Sequence, residues 1–298
     1  MLVLQEADEV IYRSAFAVER THYKIRTNNG SVRDFGCQYT KTQIVKMLSS
    51  IGKTLDVDYT LIMTKVAEDV SHAIQIAKNQ IKKIALLGDY QLYISPSDKS
   101  NFRFKVAKTP GPRGVGYKAG RPDKPIHYQA VRDYLVTHHG AVEAFGYEAD
   151  DMLGIYQNDP ITACSHIDKD INMIPGKHYN WVTGEKYIVP HNLGTLEYVG
   201  KKLIGRGIIF LYCQMLTGDA TDNIPGIKGV GIKRAYDLLK DCKTEKEAFD
   251  IIKQQYYNQY QELAINVLPE IADLLYIVRA DRLTGSQYIE SKGFTWQL

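Results

Sequence analysis

The sequence predicts an α/β domain with a largely parallel sheet, followed by a helical region, and two observations carry that expectation. From Leu2 to Ser95 apolar segments alternate between strand-like and helix-like spacing, as in folds whose helices cover a sheet. Around residue 200 the alternation ends and only helix spacing follows, in Leu203 to Leu216, Lys233 to Leu239, Lys246 to Tyr256 and Asn266 to Ala280. The expected division is therefore residues 1–200 and 201–298.

Leu2 to Leu4, followed by Val10, Ile11 and Tyr12, reads as a short strand running into a helix through Ala15 to Val18. Gln38 to Ile51 carries Ile44, Val45, Met47, Leu48 and Ile51 at helical spacing, and Tyr59 to Met63 is a compact apolar strand. Ser71 to Lys82 is another helix by its Ile74, Ala77 and Ile81, with Gln91 to Ser95 the strand after it. Arg103 to Pro125 holds Pro110, Pro112, Pro122 and Pro125 among four glycines, so it cannot be one uninterrupted helix. Ile126 to His138 is helical, Asp150 to Tyr156 opens another helix, and Ile161 to His166 is a strand ending at Asp168 and Asp170. Tyr179 to Val189 predicts a hairpin with its turn in Val182-Thr-Gly184-Glu185.

At 298 residues, 44% hydrophobic and 24% charged, the chain has ordinary globular composition and room for a sizeable core. Cys37, Cys164, Cys213 and Cys242 lie far apart without CxxC or Cys/His spacing, which argues against a zinc site or disulfide framework and fits a reducing cytosol. The amino terminus lacks a basic segment and no apolar run approaches membrane-helix length, so a cytoplasmic protein without a membrane partner is expected. The net charge of +3 is small but unevenly spread. Between residues 103 and 124, Arg103, Lys105, Lys108, Arg113, Lys118, Arg121 and Lys124 are opposed by Asp123 alone.

Beside this basic strip stand three tight acidic groups, each at the edge of an apolar run: Glu148-Ala-Asp150-Asp151, Asp168-Lys-Asp170 and Asp219-Ala-Thr-Asp222. Two like charges 4 Å apart repel by about 1 kcal/mol in water and several-fold more in a drier cleft, so crowded carboxylates call for a cation. Glu148 and Asp151 share one helix face, while Asp150 points partly aside and reaches a metal through water. Asp168 and Asp170 project to one side just past a strand's carboxyl end, where open α/β sheets place their sites. Magnesium suits such oxygen ligands, and two ions roughly 3.5 to 4 Å apart can activate a water and stabilise a leaving oxygen. The simpler reading, solvated caps and turns, suffices for any single pair; three groups at element ends in one domain favour a site.

The turn Gly226-Ile-Lys228-Gly229-Val-Gly231-Ile-Lys233-Arg234 is similar to that of a helix-hairpin-helix, with backbone N–H groups and three cations suited to phosphate. Within the basic strip, Tyr117-Lys118-Ala-Gly-Arg121 offers an ammonium and a guanidinium to developing phosphate charge.

In this order these elements resemble the flap endonuclease family of 5′-nucleases, most closely the 5′ to 3′ exonucleases of bacteriophages. The match runs through Ala7-Asp8-Glu-Val-Ile-Tyr12-Arg13, Ser97-Asp98-Lys99 with Phe102-Arg103, Tyr117-Lys118-x-x-Arg121, Glu148-Ala-Asp-Asp151, Ile167-Asp-Lys-Asp170, and Thr217-Gly-Asp219-x-x-Asp222-Asn-Ile-Pro-Gly226-Ile-x-Gly229-Val-Gly231. The resemblance implies a PIN-like nuclease domain over residues 1–200 with a flexible basic arch at about 103–128, and a helix-three-turn-helix module over 201–298 gripping duplex DNA. It places Asp98, Glu148, Asp150 and Asp168 with the family's ligands for two Mg2+ ions, Mn2+ substituting, and likewise Asp151, Asp170, Asp219 and Asp222, some through water. Lys118 and Arg121 fall on the arch residues that act on the scissile phosphate. Arg103 and Tyr117 fall in the DNA-binding set, and Gly226, Lys228, Gly229, Gly231, Lys233 and Arg234 where the family holds the DNA backbone, often with a potassium ion.

The family usually opens with an aspartate where this chain has Glu6, whose extra methylene shifts the carboxylate, and magnesium tolerates loose geometry poorly. Asp8, two residues on along the same strand face, is placed to share or take over that role. The implied activity is metal-dependent hydrolysis near the 5′ end of DNA, extending to RNA in RNA–DNA hybrids, in phage replication or genome degradation. Its partners would be DNA with 5′ ends, flaps or nicks and the phage polymerase or replisome, in the host cytoplasm. The rival is a DNA-structure-binding protein of the same fold, catalytically impaired by Glu6. An RNA-cutting PIN-type nuclease shares the carboxylates but has no need of the Gly226 to Gly231 module, whose presence favours DNA.

Overall fold

A computed structural model of the chain describes residues 1–297. In chain order, β1 (Leu2–Glu6) runs directly into α1 (Ala7–Ala17), followed by β2 (Glu19–Thr27), β3 (Val32–Gly36), α2 (Lys41–Ser50), β4 (Tyr59–Ala67), α3 (Val70–Ala85) and β5 (Tyr90–Ile94). Then come α4 (Arg103–Val106), α5 (Tyr128–His139), β6 (Val142–Glu143), α6 (Ala149–Tyr156), β7 (Thr162–Ser165), β8 (Gly176–Tyr179), β9 (Lys186–Val189), β10 (Thr195–Val199) and β11 (Lys202–Arg206). The remaining helices are α7 (Ile209–Thr217), α8 (Ile232–Leu239), α9 (Glu245–Tyr260), α10 (Ala264–Leu275) and α11 (Gly285–Ser291). None of the described helices is long and apolar enough to cross a membrane.

The chain divides into two compact units, residues 1–9, 82–123 and 139–298, and residues 10–81 and 124–138. The first holds a six-stranded sheet ordered β6-β5-β1-β7-β8-β9. Only its β8–β9 pair is antiparallel, so the predicted α/β class with a mostly parallel sheet is what the chain adopts. Val3, Leu4 and Gln5 in the central strand β1 are buried, as expected of a strand covered on both faces. The helices after residue 208 share a core with this sheet: Ile209 to Leu216 of α7 are buried throughout, in one cluster with Leu4, Tyr93, Leu153 and Cys164. The hairpin at Tyr179 to Val189 forms as β8 and β9.

The second unit is built differently from the expectation. Tyr59 to Met63 is strand, but it lies in a separate antiparallel sheet, β3-β2-β4, instead of the parallel one. β2 escapes notice in the sequence because it is half polar. Ile25 and Tyr23 pack with Phe35, Ile44 and Leu48 of β3 and α2, while Lys24 and Arg26 alternate to the other face.

Two helices also differ from their predicted spans. Leu203 to Leu216 splits into β11 and α7, because pairing of Leu203 with Tyr198 across the β10–β11 hairpin outcompetes helix spacing in a short apolar run. The helix expected over Asn266 to Ala280 ends at Leu275. Beyond it, backbone groups of Tyr276 and Val278 are taken by a buried ion pair, Arg103 with Asp151, and cannot continue a helical ladder.

Candidate active site

Parallel pairing of β1 with β5 and β7 aligns three carboxyl ends along one edge of the sheet, and the acidic residues follow those ends. Glu6 closes β1, Asp8 and Glu9 stand in the first turn of α1, Asp168 and Asp170 follow β7, and Glu148 and Asp150 open α6. Ser95, just past β5, joins two of these segments: its N–H donates to Asp8 Oδ2 (2.9 Å) and its Oγ accepts from Ala149 N (3.0 Å).

Asp219 and Asp222 come from the loop after α7. Asp219 N donates to Ile224 O (3.0 Å) and Ile224 N to Asp219 O (2.8 Å), closing a tight loop in which Asp219 Oδ1 accepts from Thr221 N (2.7 Å). The basic stretch, expected as a flexible arch, is tied to this loop. Asn223 Oδ1 accepts from Arg113 N (2.6 Å), its Nδ2 donates to Gly114 O and Gly116 O, and Lys118 N donates to Asp222 O (2.8 Å). Gly111 permits this approach, since a Cβ there would lie 1.9 Å from Asn223 O. Residues 103–123 belong to the first compact unit and 124–128 to the second.

One cleft is lined by Tyr117, Glu148, Asp150, Asp170, Asp219 and Asp222. Lys118 bonds Glu148, Arg121 bonds Asp222, and Tyr117 Oη lies 2.8 Å from a carboxylate oxygen of each, able to donate its one proton to either. Lys169 Nζ lies 3.3 Å from Asp219 and 3.4 Å from Asp170. Against the effect of burial, Lys118 and then Arg103 hold Glu148 down at about 2. Other carboxylates of the group are pushed the other way. Burial and then Asp168 raise Asp170 to about 7, and burial with repulsion from Asp151 and Glu148 raises Asp150 well above its ordinary value. Glu6 is raised well above its own by burial and by Glu9, Asp168, Asp150 and Asp8. Its Oε2 is buried and has no hydrogen-bond partner.

That donor set, all oxygen and with the carboxyls of Glu6, Asp150 and Asp170 raised by burial and mutual repulsion, fits a hard divalent cation. Among the described residues no three His, Cys, Asp or Glu side chains yet stand at the spacing of a shared ion shell. Glu148, Asp219 and Asp222 are drawn instead onto Lys118, Lys169 and Arg121.

The structure thus brings Glu6, Asp8, Glu148, Asp150, Asp168, Asp170, Asp219, Asp222, Lys118 and Arg121 together within one compact unit. Asp98 is exposed, accepts from Ser100 N (3.0 Å) and does not line the cleft. Asp151, expected as a ligand, is fully buried and consumed by structure: its oxygens accept from Arg103 Nη1 (2.6 Å) and Nη2 (2.8 Å), Glu148 N (3.0 Å) and Val278 N (2.9 Å). Arg103, expected in the DNA-binding set, is 2% exposed and engaged by Asp151. Tyr117, 5% exposed, lies beneath Glu148 and Asp222 in the lining of the cleft.

The turn expected to bind phosphate lies at the surface. Lys228, Gly229, Gly231, Lys233 and Arg234 are exposed around the start of α8, while Gly226 is half-buried against Thr217, whose carbonyl carbon a Cβ would meet at 2.3 Å. Lys233 pairs with Asp237 (2.8 Å), and Lys228 N donates to Gln259 Oε1 (2.7 Å). Two participants escaped the sequence reading. Asn223 is visible only as the neighbour of Asp222; Glu9 is flagged by its three-residue spacing from Glu6. Burial raises Glu9 to about 7, against bonds from Trp181 and Ile167 that lower it.

No protein-family profile matches the chain. Among curated proteins, the thermostable DNA polymerase I of Thermus aquaticus is 29% identical over 192 residues, 60% of this chain and 21% of that protein. The 5′-3′ exonuclease of Bacillus subtilis is 27% identical over 141 residues, 43% of this chain and 46% of its own length. The DNA polymerase I of Borreliella burgdorferi is 34% identical over 109 residues, 34% of this chain and 12% of that protein. The chain therefore spans less than half the length of each of these relatives. Among solved structures, a T5 protein co-crystallised with metal ions is 18% identical at a TM-score of 0.41, covering 69% of this chain and 82% of that one. The bacteriophage T5 flap endonuclease in a pseudo-enzyme-product complex with DNA and metal ions is 15% identical at 0.36, covering 72% and 86%.

Proposed function

We infer that this chain, which belongs to the 5′-nuclease family, is a metal-dependent 5′ to 3′ exonuclease and flap endonuclease acting on DNA. The observation that carries this reading is the convergence of acidic side chains at the carboxyl edge of the sheet, Glu6 Oε2 buried there without a partner, beside Lys118 and Arg121. Glu6, Asp8, Glu148, Asp150, Asp168, Asp170, Asp219 and Asp222 would hold divalent ions, magnesium or manganese. When bound, these supply a nucleophile from water at neutral pH and stabilise the leaving oxygen.

The chain's own groups do the rest. Lys118 and Arg121, which bond Glu148 and Asp222, would turn towards a scissile phosphate and neutralise the charge developing there. Lys228, Lys233 and Arg234, with the backbone of the Gly226 to Gly231 turn, grip the duplex by its phosphates without reading sequence. In this reading residues 1–200, together with Asp219 and Asp222, carry the chemistry, and the Gly226 to Arg234 segment the duplex grip; action on RNA–DNA hybrids and a role in phage replication extend it.

The second reading, a DNA-structure-binding protein without turnover, is favoured by Glu6 and by carboxylates not yet at ion-shell spacing among the described residues. Cleavage of 5′-labelled flap, nicked and blunt duplexes separates the two. Short 5′ products with Mg2+ and none with chelator are expected; tight binding with no product at any Mg2+ or Mn2+ concentration establishes the second reading. Alanine at Lys228, Lys233 and Arg234 is expected to weaken binding equally for all sequences and to flatten its logarithmic salt dependence by roughly 0.9 for each phosphate no longer neutralised. Fluorescence anisotropy at several salt concentrations checks this, and an unchanged slope removes the turn from the interface.

A further inference from the structure

We propose that Glu9 is a positioning residue: its carboxylate sets the backbone of the Asp168 loop, and the cation affinity of the site depends on that hold. This rests on the nuclease reading above. Glu9 Oε1 accepts from Ile167 N (2.7 Å) and Asp168 N (2.8 Å), the two amides that lead out of β7 towards the acidic pair. Oε2 accepts from Trp181 Nε1 (2.9 Å) and, at 3.5 Å, from Gln5 Nε2. A carboxylate offers about four lone-pair positions, and all four face donors, so Glu9 has none left to offer an ion.

The donors span the site's framework. Gln5 is buried in β1, where its Oε1 accepts from Ser165 Oγ (2.6 Å) at the end of β7, and Trp181 lies just past β8. From the amides held by Glu9 the order passes on through side chains. Asp168 Oδ1 accepts from Asp170 N (2.9 Å), and Asp170 Oδ1 accepts from Gln214 Nε2 (2.6 Å) of α7. Without an acceptor at Glu9, the amides of Ile167 and Asp168 lose these bonds, and the loop is free to turn both aspartates away from the cleft.

Conservative variants distinguish positioning from charge. In Glu9→Gln the amide oxygen still takes both loop amides while the amino group forfeits the bonds from Trp181 and Gln5, so most cation affinity is expected to remain because the loop amides keep their acceptor. Glu9→Asp keeps the charge but is one methylene too short to span from α1 to the loop and Trp181, and is expected to lose about 10- to 100-fold in affinity. The measurement is isothermal titration of Mn2+ alone into the full chain without DNA, with thermal melts confirming that both variants fold. Equal losses, or a loss in Glu9→Gln only, would make Glu9 a direct ligand and overturn the proposal, as would affinity unchanged in both. A wild-type chain that takes up no Mn2+ overturns the nuclease reading and this role together, whereas wild-type uptake with the wrong order of variants overturns the role alone.

Discussion

Asp170→Ala and Asp219→Ala are each expected to abolish cleavage of a 5′-labelled flap while leaving duplex affinity largely intact. Both side chains line the cleft, and neither touches the exposed turn at Lys228 to Arg234 that carries the proposed duplex grip. A loss of about a thousandfold in turnover corresponds to about 4 kcal/mol of transition-state stabilisation, a scale at which a group near the reaction is readily told from a surface residue. Asp170→Ala also strips the acceptor from buried Gln214, which costs about 1 to 3 kcal/mol of stability. Single-turnover assays on protein shown to be folded therefore give the cleaner comparison, and unchanged turnover in either variant would remove that carboxylate from the site.

The second large effect is on stability. Asp151→Ala is expected to destabilise the chain by about 3 to 5 kcal/mol, the range found when one partner of a buried ion pair is removed. Arg103, 2% exposed, would keep its bonds to Leu274 O (3.2 Å) and Tyr276 O (2.6 Å) but carry an uncompensated charge, and the amides of Glu148 and Val278 would lose an acceptor. Urea unfolding measures it. A variant as stable as the wild type but deficient in Mn2+ binding would restore Asp151 to the ligand set and refute its structural assignment.

Asp151 also shows where the sequence stops being informative. Glu148, Asp150 and Asp151 are equivalent as acidic residues within one short segment, and their spacing alone marks all three as ligands. Which one turns inward is settled by Arg103, 48 residues away, and by the backbone of Tyr276 and Val278. The basic strip is ambiguous in the same way. Arg103, Lys118 and Arg121 share a sign, yet the first is buried against Asp151 while the other two bond Glu148 and Asp222.

The α/β class, the acidic segments at strand ends, the glycine-rich turn and the motif order that carries the family resemblance were all legible before folding, because each depends on a pattern within a few residues or on motif order. Three features were not: which carboxylates face the cleft, the hold of Glu9 on the Asp168 loop across 159 residues, and the separate antiparallel sheet of β2, β3 and β4. Burial and hydrogen-bond partnership arise between segments distant in the chain, so identical side chains acquire different protonation, exposure and duty only once the chain has closed on itself.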